Sequence, residues 1–416
     1  MKFVVTSTDL LQQLQAVAKV ISSKSIAAVP VLENILFELQ GNQLTLTAAD
    51  QSNRQTCFVE VNNSQGEDGA FAVRSQIIID SLKELPDQPI EVEVDIEAGK
   101  ASVTYSNGHF SFLTTSAEIY PEGVSLEDNQ TKVVELPAQS LLRALERTVF
   151  AASDDERRPV MTGVLLDFFP EQLVTVATDG RILVRYTDHN IKSAEAARIV
   201  LPSRMAYLLT RGLLAKETGT VKISFDGRNA HFQMTRGALT VRLLEGTYPN
   251  YNSVIPPSSV HNILLEKDQL FFAAKRVSLF ANKASSLIVF HFADGALRIT
   301  AQDLDLSIAA EETIPCSGQE AGTQVRIGFD FNFLQRLLQS FTSEQVQFGL
   351  TDQTRAGVIT PLAMDEGIEI CTLIIPMKLL GSAYAIIFYI QNIGLSLVPM
   401  AVGSFNKNDP SYFSME

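Results

Sequence analysis

The sequence predicts an α+β protein built of three like domains, each with two helices and antiparallel sheets. Two observations predict it. A strand-and-turn phrase occurs three times: Leu44-Thr45-Leu46-Thr47-Ala48-Ala49-Asp50, Leu173-Val174-Thr175-Val176-Ala177-Thr178-Asp179 and Leu297-Arg298-Ile299-Thr300-Ala301-Gln302-Asp303. Its aspartates lie about 125 to 130 residues apart, too far for a solenoid repeat and right for a whole domain. Around each phrase, short alternating strands outnumber helical stretches.

Each repeat opens on a short apolar strand, at Phe3 to Val5, Val133 to Leu136 and Ile263 to Leu265. An amphipathic helix follows, with apolar residues at helical spacing. The stripes are Leu10, Leu11, Leu14, Val17 and Ile21, after the candidate caps Thr6 to Thr8; then Leu141, Leu142, Leu145 and Val149; then Leu270, Phe271, Ala274, Val277 and Phe280. A strand precedes each phrase, at Ile35 to Leu39, Gly163 to Phe168 and Leu287 to Phe292. A second strand–helix–strand passage then runs through helices at Ser75 to Leu85, Ser203 to Leu214 and Asp330 to Phe341. Proline-rich and polar joins near Pro121 to Gln130 and Pro249 to Ser259 set domains at 1–124, 131–254 and 260–379, with an atypical tail at 380–416. Joins this short favour a rigid assembly over modules on a string.

The net charge of −14 excludes a uniformly basic nucleic-acid binder but not a basic stripe on an acidic body. Cys57, Cys316 and Cys371 are scattered and odd in number, which fits a reducing cytoplasm. The amino terminus reads as a strand, so no secretory signal is expected.

Catalytic patterns are missing: no phosphate loop, dinucleotide fingerprint or nucleophile elbow occurs. The five histidines and three cysteines lack metal-ligand spacing, so neither a metal nor a cofactor is expected. Asp50, Asp179 and Asp303 read as turn residues whose carboxylates accept backbone N–H groups, because every repeat needs the turn. The competing reading is an enzyme with a carboxylate site at Asp179.

Basic residues gather on the expected helices: Lys19, Lys24, Arg74, Lys83, Arg143, Arg147, Arg204, Arg211, Lys216, Lys267, Lys275, Arg276, Lys283 and Arg336. Acidic residues crowd strands and loops, as in Glu91, Glu93 and Asp95. If the helices share a face, that face meets phosphates without base readout. The ordinary alternative is a solvated helix surface.

From Met1 to about Leu379 the chain resembles the β subunit of bacterial DNA polymerase III, the sliding-clamp family. The resemblance rests on Met1-Lys2-Phe3, Val176-Ala177-Thr178-Asp179-Gly180-Arg181, Glu245-Gly246-Thr247-Tyr248-Pro249-Asn250-Tyr251, Ile327-Gly328-Phe329 and Ile374-Ile375-Pro376-Met377-Lys378-Leu379. It implies the DNA clamp fold and a head-to-tail homodimer closing into a six-domain ring. Duplex DNA is threaded through that ring without sequence readout, and nothing is catalysed. The implied DNA-facing residues are Lys19, Lys24, Lys83, Arg143, Arg147, Arg204, Arg211, Lys275 and Arg276.

The resemblance also implies a groove where short motifs of the polymerase catalytic subunit, the clamp loader and repair proteins dock. By position its members are Met161, Thr178, Gly180, Arg181, Leu183, Pro249, Val254, Leu373, Ile375, Pro376 and Met377. Two departures bear on partner preference. The family's His-Arg after Asp-Gly is Arg181-Ile182 here, and an aromatic pair before Met161 is Pro159-Val160. At the ring interface the resemblance sets Phe110 and Phe112 against Leu279 and Phe280.

Residues 381–405 contain no charge and reach the length of a membrane span, with Gln391, Asn392 and Pro399 inside. They resemble one helix of a major-facilitator-type transporter. A fusion or assembly artefact is favoured, since a lone transporter helix has no partner; a membrane anchor and an apolar segment packed on the clamp compete. A membrane-tethered clamp-like scaffold is the alternative function. If present, a tail beginning beside Met377 is expected to disturb the groove.

Overall fold

A computed structural model describes residues 1–124, 126–127, 131–318 and 324–377. The expectations about the tail fall outside the described residues. Among those described, seven α-helices occur: α1 (Ser7–Ala18), α2 (Ser23–Ala28), α3 (Ser75–Lys83), α4 (Ala138–Thr148), α5 (Ser203–Thr210), α6 (Lys267–Ser278) and α7 (Phe331–Ser340). The three phrases are the strands Gln43–Ala49, Leu173–Thr178 and Ala296–Asp303.

The apolar stripes explain why these helices form where they do. Leu10, Leu14 and Val17 of α1, Leu141, Leu142 and Leu145 of α4, and Leu270, Ala274 and Val277 of α6 are all buried. Leu11 is half-buried, and Ile21 lies past the end of α1. Thr6 occupies the cap position of α1 without a side-chain bond to it. Two lengths depart from the pattern. Helix α5 stops at Thr210 rather than running to Leu214, because Gly212 turns the chain tightly over the Leu208 carbonyl, where a Cβ would lie 2.7 Å from the oxygen. Helix α2 carries no apolar stripe; Ser22 caps it by accepting the Ser25 N–H at 3.2 Å.

Packing divides the chain into two compact units. The first spans Met1–Pro256 with Gln339–Ser343 and Ile359–Leu373, so it holds the first two repeats together. Its nine-stranded sheet takes the first repeat from Thr115–Ser116 through Gly69–Arg74, Asn34–Gln40 and Gln43–Ala49 to Arg54–Glu60. The sheet continues in the second repeat through Gly237–Arg242, Asn229–Met234 and Thr220–Phe225 to Lys132–Pro137. At the join Gly237 stands opposite Cys57 and Leu239 opposite Gln55. Only glycine fits at 237, since a Cβ there would lie 2.2 Å from the Thr56 carbonyl oxygen.

A five-stranded sheet ends on Gly108–Leu113, next to Lys100–Tyr105. In the second repeat Ala197–Pro202, Gly163–Phe168, Leu173–Thr178 and Ile182–Asp188 run in order. The other unit spans, among the described residues, Pro257–Leu338 and Glu344–Val358, with Ile374 to Met377. It carries a four-stranded sheet in the order Ile308–Pro315, Ala296–Asp303, Leu287–Ala293 and Val325–Asp330. In the same unit His261–Glu266 pairs antiparallel with Gln345–Leu350.

Candidate functional site

Each repeated aspartate closes its turn as its residue type dictates. Asp50 Oδ1 accepts the N–H groups of Ser52 and Asn53 at 2.8 Å. Asp179 Oδ1 accepts those of Arg181 and Ile182 at 2.8 Å. Asp303 Oδ1 accepts those of Asp305 at 2.9 Å and Leu306 at 3.3 Å. The turn role expected for the three carboxylates is therefore what the structure shows.

In the second repeat this turn presents Gly180 and Arg181. Thr178 is buried and donates its hydroxyl to the Ile182 carbonyl at 2.6 Å, while accepting the Gly180 N–H at 3.0 Å. Gly180 has φ +87°, a left-handed conformation that favours glycine. Its open side faces the end of Met161 and the Arg158 guanidinium, which a Cβ would approach to 3.7 and 3.4 Å. The turn is thus fixed in shape, with a thioether on one flank and a cation on the other.

The segment Glu245–Tyr251 is held by its two tyrosines. Tyr248 is buried with its hydroxyl 3.4 Å from the Val176 carbonyl, and burial pushes its phenol up. Tyr251 donates to Asp167 Oδ2 at 3.0 Å; burial, with the Asp167 charge added, pushes its phenol up to about 12. Asp167 is itself buried and takes a forked pair of bonds from Arg198, Nε to Oδ1 and Nη2 to Oδ2, both 2.8 Å. Between the two anchors Pro249 and Asn250 stay exposed. Sequence reasoning saw the phrase but missed its supports Asp167 and Arg198. The legible signal was Asp167, a lone charge inside the apolar strand Gly163–Phe168.

The remaining groove residues divide by burial. Met161, Thr178, Leu183 and Leu373 are buried, whereas Val254 is 55% exposed. In the other unit Ile375 is 51% exposed, and Met377 donates its N–H to the Gly328 carbonyl at 2.8 Å, beside Pro376. In the first unit Met161 stands beside the Gly180 turn, while Pro249 and Val254 are exposed.

Phe110 and Phe112 lie on the edge strand Gly108–Leu113, 6.2 Å apart, half-buried beside Leu113, which is 81% exposed. In the other unit Leu279, 75% exposed, caps α6 and precedes the exposed Phe280. The cations expected to face DNA differ in their surroundings. Lys83 pairs with Asp80 at 2.9 Å and Arg276 with Glu312 at 2.5 Å, while Arg204 is taken up by Asp50. Arg147 donates to Thr342 Oγ1 at 3.3 Å. Lys19, Lys24, Arg143, Arg211 and Lys275 form no ion pair among the described residues. No group of three or more His, Cys, Asp or Glu able to hold a metal occurs among those residues, and none of their helices is long and apolar enough to cross a membrane.

Comparison with known proteins adds an independent line. Models of the N-terminal, central and C-terminal domains of the DNA polymerase III beta subunit match residues 1–124, 135–250 and 252–378. The chain is 28% identical over 383 residues to a beta sliding clamp of Pseudomonas aeruginosa, covering 91% of this chain and 100% of that one. It is 27% identical over 353 residues to one of Haemophilus influenzae, covering 85% and 93%. A crystal structure of a Pseudomonas aeruginosa sliding clamp bound to griselimycin matches with a TM-score of 0.83 at 26% identity, over 91% of this chain and all of that one.

Proposed function

Since the chain belongs to the DNA polymerase III beta subunit family, we propose the following account of how its residues do the work of that family. The protein is a DNA sliding clamp, a non-catalytic processivity factor that encircles DNA and binds the polymerase. The observation that carries this is the match of all three family domains, in order, across 1–378. A clamp retains DNA by topology, so it needs phosphate attraction without base readout, and the unpaired cations Lys19, Lys24, Arg143, Arg211 and Lys275 suit that task.

Ring closure uses two apolar patches that are different surfaces of the same chain. Phe110, Phe112 and Leu113 of one copy meet Leu279 and Phe280 of the next, a head-to-tail contact repeated twice in a homodimer. Partner motifs dock through apolar anchors on the exposed Pro249, Val254 and Ile375, with Met377 as a deformable wall. The polymerase catalytic subunit and the clamp loader are the first partners assigned to that groove, and the cytoplasm is its location.

The test is retention. Loaded onto nicked circular DNA, the full chain is expected to stay bound through a high-salt wash and to run off when the circle is linearised. Salt-sensitive binding with no difference between circle and line would sink the reading. For the groove, a Gln-Leu-x-Leu-Phe peptide is expected to bind the full chain in the micromolar range and to lose most of that affinity with Met377→Ala plus Pro249→Ala. Equal binding by the variant would remove the groove assignment.

A further inference from the structure

Beside α4 the first unit carries a cavity of about 240 Å³ that neither the groove nor the ring contact uses. Arg143 and Arg147 reach it from α4, while Phe341, Met364, Ile368 and Ile370 give it an apolar wall. Tyr186, on the strand Ile182–Asp188, lines it as well. That residue is 2% exposed, yet its hydroxyl has no hydrogen-bond partner among the described residues. A buried phenol normally finds one. The oxygen is not sealed in the core, so it opens on the cavity. Burial pushes the phenol up to about 12, with Asp188 adding to the rise and Arg143 and Arg147 opposing it, so the hydroxyl keeps its proton at neutral pH.

The arginines are available too. Arg143 forms neither an ion pair nor a hydrogen bond among the described residues, and Arg147 donates only to Thr342 Oγ1, at 3.3 Å. Asp365 also lines the cavity but pairs with neither arginine. The loop that bears Met364 is held in place before any ligand arrives. The Ala363 N–H donates to Ser343 Oγ at 3.2 Å, the Ile370 N–H to Met364 Sδ at 3.3 Å, and Asn190 Nδ2 to the Glu366 carbonyl at 3.1 Å.

A DNA phosphate could use the two guanidiniums, but it would leave the apolar wall and the phenol unmet. Two guanidiniums and a phenol match a carboxylate, and the wall beside them matches an apolar group on the same ligand. The room suffices for one large side chain with its carboxylate. Asp365, which is exposed, disfavours a second acid there and favours a cation next to the first.

We propose that this cavity seats the carboxy-terminal residue of a partner chain, an apolar residue preceded by a basic one. Arg143, Arg147 and Tyr186 take the terminal carboxylate, Met364 and Ile368 take the apolar side chain, and Asp365 takes the basic neighbour. The seat stands independently of the sliding-clamp reading.

The experiment titrates acetyl-Gly-Ser-Lys-Leu, with a free carboxylate, into the full chain labelled at its methionine methyl groups, by NMR. A saturable shift of the Met364 resonance, assigned with Met364→Leu, is expected. Amidating the peptide's carboxylate should weaken binding by roughly tenfold or more, as should Arg143→Gln with Arg147→Gln. Tyr186→Phe should weaken it severalfold, and Lys192→Gln, an exposed charge outside the cavity, should not move it. Melting curves show that the variants are folded. No saturable shift, equal binding by the amide, or a folded arginine or tyrosine variant that binds as well as the parent overturns the seat. Acetate that binds as tightly as the peptide also overturns it, since the apolar wall then contributes nothing. Failure of the clamp reading shows separately, as loss of retention on circular DNA.

Discussion

Arg204 and Asp50, 154 residues apart in the chain, meet at 2.9 Å across the join of the first two repeats. Asp50 uses its other oxygen to close its own turn. The same guanidinium donates through Nη2 to the carbonyls of Lys19, Val20 and Ile21 at 3.2, 2.8 and 3.3 Å. One side chain of the second repeat therefore satisfies the carbonyl end of α1 and a largely buried carboxylate of the first. The arginine is committed to holding the repeats together, which is a different task from meeting DNA.

A double-mutant cycle of Arg204→Met and Asp50→Asn should show a coupling of about 1–3 kcal/mol in urea unfolding, as for a charge-assisted bond with one buried partner. Additive losses would mean that the two side chains are neighbours without an energetic link.

Gly237→Ala should destabilise the protein by about 2–3 kcal/mol, because the added methyl meets the Thr56 carbonyl where the sheet passes between repeats. Gly227→Ala is the matched control: a Cβ there meets nothing within 4 Å, and its change should stay within about 0.5 kcal/mol. Thermal melts of the two variants check this.

Acid should weaken the second repeat through Glu217. Burial pushes its carboxyl up, but the N–H groups of Gly219, Thr235 and Thr218 together hold it below the usual range. A depressed folded value stabilises the protein above the unfolded value of about 4.3, and that stability is lost as pH falls through the lower folded value. Glu217→Gln should therefore be less stable at neutral pH and lose less on acidification. Parallel pH profiles for parent and variant would contradict this.

Tyr251→Phe removes one of the two anchors of the 245–251 strap and leaves Asp167 with Arg198 alone. A loss of about 1–2 kcal/mol is expected, with several-fold weaker peptide binding as Pro249 loses its support. Unfolding curves and the peptide titration read the two effects separately.

Phe112→Asp or Leu279→Asp places a charge in the proposed ring contact. Sedimentation should show the parent mass halved in either variant. A dimer that survives both substitutions would place the interface elsewhere.

The sequence by itself determined the repeat, the positions of six of the seven described helices and the turn role of Asp50, Asp179 and Asp303. Periodicity and turn chemistry are local properties, and each phrase carries its own copy of them. The apolar stripes of α1, α4 and α6 were legible for the same reason, as were the exposed Pro249 and Ile375 through the phrases that contain them. Only the tertiary structure decided what lies between distant segments. It spent Arg204 on Asp50, made Gly237 the point where one sheet serves two repeats, and set Asp167 under Tyr251 and Arg198. It also gathered Arg143, Arg147, Tyr186 and Met364 around one cavity. A cation's role depends on whether a carboxylate stands within a few ångströms, and that distance is a property of the folded chain.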